Sequence, residues 1–226
     1  TNNQWNANWI FVPGEDATAQ GLYIFRKKLT LNVKPETFIV KVSADNRYKL
    51  YVNEKLVSLG PALGDLQHWN YETVDIAPYL TAGDNILAAK VWNEGNLKPV
   101  SQITARTGFI LQGADEQSQL ANSNDSWKCI KDNSYTPIRQ TVRGYYAAGA
   151  GEEIDMNSCI TDWDKLSLDD SGWKQSEVLF ATAGGMGMGG GARSPWTLVP
   201  SILPQMELTY QRLLELRKSE GINVIN

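Results

Sequence analysis

The stretch SADNRYKLYVN, residues 43–53, decides the fold class of this chain. Within it, large apolar residues occupy every second position, namely Tyr48, Leu50 and Val52. Apolar and polar residues that alternate with a period of two are typical of a β-strand with one buried and one solvated face. We therefore expect these three side chains in a core. The following Asn53-Glu54-Lys55 predicts a tight turn into a second strand.

The same alternation extends outward from this stretch, over residues 23–31 and 38–42. Residues 86–92 are apolar on both parities, which is typical of a strand inside a sandwich and predicts Trp92 in the core. Further strands are expected at residues 109–112 and 127–130. Upstream of residue 200 no long stripe of apolar residues has the helical period of 3.6. The sequence therefore predicts an all-β sandwich.

The character of the chain changes after Phe180. Residues 181–205 are rich in Gly and Pro, and Pro cannot donate to a strand ladder. A short helix is expected over residues 209–218. We therefore predict a β-sandwich domain over residues 1–180 and a linker over residues 181–226 that leads to an absent downstream domain.

The composition of the chain argues against several classes of function. The chain has 226 residues, 21 Lys and Arg against 25 Asp and Glu, and a net charge of −4. Nucleic acids and anionic membranes select clustered basic residues, so we expect neither as a partner. No apolar run approaches the ~18 residues of a membrane span. No signal-peptide pattern opens the chain, so any signal peptide has already been removed. We expect an exported protein.

The inventory of reactive side chains is small. His68 is the single histidine, and no nucleophile motif accompanies it. A zinc site would need His68 together with Cys129 and Cys159, without the usual ligand spacing. The two cysteines could form a disulfide or remain buried thiols. The run GMGMGG at residues 185–190 matches a dinucleotide-binding pattern, but no helix can begin after it, so we interpret it as a glycine loop.

Four aspartates lie close together near the end of the predicted sandwich: Asp162, Asp164, Asp169 and Asp170. Calcium collects several oxygen ligands, so this density permits a structural calcium site. A structural turn explains the same residues more simply. We therefore predict no cofactor.

Several segments around residues 43–53 carry a resemblance to a known family: FRKKL (25–29), GPALGD (60–65), YETVDIAPYL (71–80) and GDNILA (83–88). Together they resemble the N-terminal jelly-roll of bacterial alpha-L-rhamnosidases, which opens on an FRKTF strand. The resemblance implies a jelly-roll β-sandwich of the galactose-binding-like type.

Later segments extend the resemblance, which covers residues 5–207. GEEID (151–155) is similar to the family's GE-x-x-D segment. DDSGW (169–173) is similar to its FDDSxW strand, with Leu168 where Phe is usual. WTLVP (196–200) and ILPQME (202–207) resemble the run that leads to the next domain.

The resemblance implies the N-terminal portion of a glycoside hydrolase whose paired carboxylates lie in a later catalytic domain. We therefore expect a non-catalytic accessory domain that packs beside that catalytic domain. A free-standing lectin-like module is the alternative, and a different glycosidase with the same front domain is a third. Eight Trp and nine Tyr are a composition often met in carbohydrate-handling β-proteins.

One cluster suggests a sugar contact. Asp65, His68, Trp69 and Tyr71 fall in a predicted loop, where binding residues tend to collect. An exposed aromatic ring stacks on the apolar face of a sugar, while carboxylate and imidazole groups bond its hydroxyls. We predict these four residues as a carbohydrate-binding site, for example for a rhamnose-containing oligosaccharide, with core or domain packing as the alternative.

Overall fold

Two six-stranded sheets make up most of the structure, a computed structural model that describes residues 5–139, 147–181, 194–205, 211, 217, 218 and 220. The first sheet has the order β13-β1-β8-β3-β6-β14, and its strands in chain order are β1 (Asn8–Phe11), β3 (Ile39–Asp45), β6 (Trp69–Asp75), β8 (Gly108–Gly113), β13 (Glu177–Ala181) and β14 (Leu198–Pro200). Neighbours in it are antiparallel, except that β14 runs parallel to β6.

The second sheet is antiparallel throughout and has the order β12-β9-β2-β7-β4-β5. Its strands are β2 (Gly21–Leu31), β4 (Arg47–Val52), β5 (Lys55–Gly60), β7 (Gly83–Asn93), β9 (Lys128–Lys131) and β12 (Lys174–Gln175). A separate two-stranded hairpin joins β10 (Tyr135–Ile138) to β11 (Gly151–Ile154). Short 3-10 turns lie at Ala77–Tyr79, Gly95–Leu97 and Ser118–Ala121, and no described helix is long and apolar enough to cross a membrane.

The main core lies between the two sheets. Tyr48, Leu50 and Val52 are fully buried in it, as the alternation in residues 43–53 predicts. The turn after β4 is also confirmed, since Asn53 and Glu54 both have positive φ (47° and 68°), as a two-residue hairpin turn requires. The predicted all-β sandwich is therefore confirmed.

Trp92 departs from the prediction. It is only half-buried, because it lies next to the inward-facing Val91 in β7 and so points to the outer face of the second sheet. Since β7 is apolar on both parities, periodicity alone could not assign its faces.

A second apolar cluster covers the outer face of the first sheet. Ile110 belongs to it, while its neighbours Phe109 and Leu111 belong to the main core on the other face of β8. We call this group the outer cluster; its buried members are Trp5, Ala7, Trp9, Trp69, Tyr71, Ile110 and Trp196. Four of the eight tryptophans are therefore buried outside the sandwich interior.

The segment 194–205 returns to the sandwich. Within it, β14 pairs with β6, and Trp196 stacks on Trp9 with ring centroids 4.0 Å apart. The predicted division of the chain at residue 180 stays a prediction. The glycine run at 185–190 and most of the predicted helix at 209–218 lie outside the described residues.

Candidate functional site

The structure separates the four residues predicted to bind carbohydrate. Asp65 and His68 are exposed, whereas Trp69 and Tyr71 are each only 3% exposed. The loop predicted around Trp69 and Tyr71 is wrong, because both belong to β6, which pairs with β3 and β14. Their placement at the surface is wrong as well.

Asp65 and His68 form a polar turn that leads into β6. Asp65 Oδ1 accepts the backbone N–H groups of Gln67 at 2.7 Å and His68 at 2.9 Å, and it lies 3.2 Å from His68 Nδ1. These donors, the Gln67 N–H first, lower the pKa of the Asp65 carboxyl. The two side chains remain available to solvent at the end of this turn.

Trp69 and Tyr71 serve the outer cluster. Trp69 donates its indole N–H to the Ala44 carbonyl at 3.3 Å, and Tyr71 packs edge-on against Trp5 with centroids 5.2 Å apart. The Lys41 ammonium lies 5.6 Å from the Tyr71 ring centre. Neither ring presents a free face on which a sugar could stack. The predicted sugar contact by these four residues stays a prediction, and an exposed aromatic platform is not part of it.

Asp45 is the polar centre of the outer cluster, and its role was missed at the sequence level. Its fully buried carboxylate accepts the indole N–H of Trp196 at 3.0 Å, the hydroxyl of Thr104 at 2.6 Å and the backbone N–H of Ala105 at 2.8 Å. Asn46 donates to it as well, at 2.6 Å. Burial raises the pKa of Asp45, and the hydrogen bonds oppose this rise. The adjacent Asp-Asn pair is the available signal in the sequence, but nothing near it points to Trp196, Thr104 or Ala105 as its partners.

A second polar centre lies on the outer face of the second sheet. Arg26 in β2 is 1% exposed and forms an ion pair with Asp170. Its other terminal nitrogen donates to the Lys165 carbonyl at 2.6 Å, and Trp173 lies 5.6 Å from the guanidinium carbon. The segments FRKKL and DDSGW, far apart in the chain, therefore meet in one contact.

The four aspartates considered for calcium have different neighbours. Asp162 pairs with Lys165 at 2.8 Å, Asp169 accepts the Ser171 N–H at 2.9 Å, and Asp170 pairs with Arg26. In the described ranges, no three His, Cys, Asp or Glu side chains converge as metal ligands. The contacts of Asp162 and Asp169 are local to turns, whereas the Asp170 carboxylate pairs with Arg26 from a distant strand.

Glu72 forms a third buried polar centre at the edge between β5 and β6. One of its carboxylate oxygens accepts the Ala62 N–H at 3.1 Å, and the other accepts the Gln205 side-chain amide at 3.2 Å. Gln205 also lies 3.4 Å from the Ser58 hydroxyl in β5. Glu72 therefore fixes the last residue of the segment 194–205 to the sandwich.

Both cysteines are free. Cys129 is buried in the main core, where burial raises the pKa of its thiol to about 11, and Cys159 is half-buried. The disulfide considered from the sequence is not formed.

These contacts limit the chemistry of the described residues. Three carboxylates are buried among the described residues, those of Asp45, Glu72 and Asp132, and each accepts hydrogen bonds from donors of the domain itself. A glycosidase needs two carboxyl groups that face each other across the scissile bond. Asp45, Arg26 and Glu72 instead join distant segments of one fold.

Comparison with known proteins identifies relatives of this architecture. Residues 34–187 match the family model of the alpha-L-rhamnosidase N-terminal domain. The chain is similar to a GH78 family rhamnosidase of Bacillus sp. GL1, with 26% identity, a TM-score of 0.74, and coverage of 90% of this chain and 20% of that chain. No curated protein sequence matches the chain.

Two further solved structures share the fold. An alpha-L-rhamnosidase from Dictyoglomus thermophilum has 18% identity and a TM-score of 0.63 over 90% of this chain and 23% of its own. A lectin from Pleurotus ostreatus, solved with GalNAc, has 17% identity and a TM-score of 0.52 over 89% of this chain and 49% of its own. The chain spans about a fifth of the length of the two rhamnosidases.

Proposed function

Since the chain belongs to the alpha-L-rhamnosidase N-terminal domain family, we propose that it is a non-catalytic accessory domain of a multidomain alpha-L-rhamnosidase. In this role it supports a catalytic domain located later in the same polypeptide. The observation that carries the proposal is that side chains of the family-like motifs make contacts inside the domain. Arg26, Asp170 and Trp173 hold one face of the sandwich together. Trp196 and Asp45 do the same on the other face.

Side chains used in this way build a rigid body. A glycosidase active site needs carboxyl groups about 5–5.5 Å apart for retention, or roughly 6.5–9.5 Å apart for inversion, with open space for the sugar between them. Asp45 and Glu72 have protein donors where a substrate would have to bind. We therefore assign hydrolysis to the part of the full-length protein that lies outside this chain, which in the relatives makes up about four-fifths of the length.

An assay with an aryl alpha-L-rhamnoside tests this proposal. The full-length polypeptide is expected to release the aryl alcohol, and the 226-residue chain alone is expected to release none. The double variant Glu72→Gln, Glu94→Gln of the full-length protein should keep turnover within a few-fold of that of the unmodified protein. Turnover by the isolated chain would contradict the assignment, and so would a full-length protein inactive on every rhamnoside.

The exposed Asp65–His68 turn favours a second, subordinate function, contact with a rhamnose-containing oligosaccharide. A carboxylate and an imidazole on a fixed turn can bond sugar hydroxyls. Calorimetry with L-rhamnose and pectic oligosaccharides tests it, with Asp65→Ala and His68→Ala against the exposed Lys34→Ala as control. If all three variants have the same affinity for the sugar, Asp65 and His68 do not contact it, and this second function is wrong. Export of the protein, which a polysaccharide substrate would require, belongs to the same proposal.

A free-standing lectin-like module is the competing interpretation. Similarity to the Pleurotus lectin supports a common fold only, at 17% identity. The reading frame distinguishes the two interpretations: several hundred further codons favour the accessory domain of an enzyme, and a stop codon near residue 226 favours the module.

A further inference from the structure

The segment Ser201–Gln205 is held at both ends while its middle is exposed. Ser201 donates its N–H to the Tyr71 carbonyl at 2.9 Å, directly after β14. At the other end, Gln205 binds Glu72 and approaches Ser58. The Leu203 N–H lies 3.3 Å from the Ser201 hydroxyl, which fixes the backbone between the two anchors. The conformation of this segment is therefore defined by the sandwich.

The two apolar side chains between these anchors face solvent. Ile202 is 94% exposed and Leu203 is 62% exposed. Single exposed apolar residues are common on protein surfaces, but these two are adjacent and sit on a fixed backbone.

A third exposed apolar side chain belongs to the same edge. Leu63 is 52% exposed, and its carbonyl accepts the Asn70 side-chain amide at 3.1 Å. Asn70 is the register partner of Val199 in β14, and the residue before Leu63 donates to the same Glu72 carboxylate that binds Gln205. We call Leu63, Ile202 and Leu203 the exit patch, because the Glu72 carboxylate contacts both segments that carry it, through the Ala62 N–H and the Gln205 side-chain amide.

We propose that the exit patch is the docking surface for the domain that follows in the same polypeptide. This inference rests on the proposed function, in which the sandwich is the first part of a longer chain. The two rhamnosidases that share the fold are four to five times as long as this chain, and the matching family model is that of an N-terminal domain, so in the proposed protein further domains follow the segment that Gln205 anchors.

The size of the patch favours a tethered partner over a separate one. A stable interface between independent proteins engages about 20–30 residues on each side, and three side chains are far fewer. A tether raises the effective concentration of its partner to about the millimolar range, which makes a small apolar contact sufficient. A second copy of the chain or an unrelated protein would lack this advantage.

The edge itself disfavours recognition by strand addition. β14 is the edge strand of the first sheet, has three residues, and ends at Pro200, which has no N–H to donate. Pro204 follows two residues after Ile202. A partner at this edge therefore binds through the side chains of the exit patch.

Limited proteolysis of the full-length protein tests the docking surface. The double variant Ile202→Ser, Leu203→Ser is expected to raise the rate of cleavage between the sandwich and the following domain at least tenfold. Met156→Ser is the matched control, because Met156 is 69% exposed but follows the β10–β11 hairpin, which is separate from the sheets that border the exit patch. Its cleavage rate is expected to equal that of the unmodified protein. Both variants should leave the melting temperature of the 226-residue chain unchanged, which shows that the sandwich itself is intact.

The outcomes separate the two proposals. If the double variant is cleaved at the unmodified rate, or if Met156→Ser releases the sandwich instead, the exit patch is not the docking surface, whatever the enzyme activity. If the full-length protein is inactive on rhamnosides but the double variant is still cleaved faster, the docking surface stands and the proposed function fails.

Discussion

Arg26 and Asp170 are 144 residues apart in the chain and form an ion pair on the outer face of the second sheet. The pair lies beside Trp173, and the Lys165 carbonyl binds the second terminal nitrogen of the guanidinium. A planar guanidinium can serve a carboxylate, a carbonyl and an aromatic face at once, which a lysine ammonium cannot. The contact fastens the segment before β12 across the sheet and explains why an arginine is buried there.

Asp170→Asn is expected to lower the free energy of unfolding by about 3 kcal/mol. The variant leaves the buried Arg26 charge without its counter-ion, and the removal of one partner of such a pair costs about 3–5 kcal/mol. We place the loss at the lower end because Asp170 is partly exposed. Urea unfolding of the 226-residue chain measures it.

Asp169→Asn is the control for this prediction. Asp169 is the neighbouring acid, and its carboxylate accepts a backbone N–H within an exposed turn. Its loss should cost less than about 1 kcal/mol. Equal losses for the two variants would mean that the Arg26 contact contributes no more than a turn does.

Trp196→Phe and Trp9→Phe form a matched pair in the outer cluster. The two indoles stack on each other, but only Trp196 donates to Asp45, while Trp9 Nε1 has no partner among the described residues. Trp196→Phe should therefore cost about 1.5–3 kcal/mol more than Trp9→Phe, the range for a hydrogen bond to a charged group. Chemical denaturation of both variants gives the difference, and a difference near zero would show that the Asp45 contact is energetically neutral.

The sequence predicts the interior of this fold better than its outer faces. Alternation located the strands of the main core, because one buried face and one solvated face leave a clear period of two. It failed at β6, where Trp69 and Tyr71 are buried on the face opposite to the sandwich interior. Trp5 and Trp196 cover this outer face of β6 and so bury it. Both are distant from β6 in the sequence, and no local pattern in β6 indicates that they pack there.

The candidate site shows the same limit. Asp45 and Trp196 both lie in stretches that the sequence analysis singled out, residues 43–53 and WTLVP at 196–200. Their hydrogen bond joins residues that are 151 positions apart, whereas hydrophobic periodicity and motif spacing reveal contacts only between residues close in the sequence. Asp65 and His68 lie only three residues apart, so their contact within one turn is of the kind that sequence spacing can reveal.

Two carboxyl groups should give opposite signs in the pH dependence of stability. Burial raises the pKa of Glu94 above its ordinary 4.5, so the folded state binds more protons in the window above 4.5. Its contribution to stability therefore falls as the pH rises from 4.5 through the folded pKa. The pKa of Asp65 is lowered below 3.8, so its contribution is present above 3.8 and is lost as the pH falls through the folded pKa.

The variants Glu94→Gln and Asp65→Asn separate these contributions. Glu94→Gln should flatten the decline of stability just above pH 4.5, and Asp65→Asn should flatten the acid-side loss below pH 3.8. Free energies of unfolding between pH 2.5 and 7 measure both. A Glu94→Gln profile parallel to that of the unmodified chain would rule out burial of this carboxyl as the source of the slope.

Thiol labelling should distinguish the two cysteines. At pH 8 a thiol with a pKa of about 11 is about one part in a thousand thiolate, so Cys129 is expected not to react in the folded chain. Cys159 is half-buried and is expected to react. Mass spectrometry after iodoacetamide should show one label per native chain and two in denaturant. A native chain of Cys159→Ser should then take up no label, and one label on it would contradict the burial of Cys129.

Truncation tests where the folded domain ends. A chain that ends at residue 205 retains Trp196 in the outer cluster, β14 beside β6, and the Gln205–Glu72 contact. A chain that ends at residue 193 loses all three and leaves the Asp45 carboxylate without its indole donor. Loss of a buried Trp side chain alone costs about 3–5 kcal/mol, so the shorter chain should be less stable by at least that amount. Thermal unfolding of the two truncated chains measures the difference. Equal stability would support a domain that ends near residue 180, as the composition of the sequence predicts, and a large loss would place residues 194–205 within the folded unit.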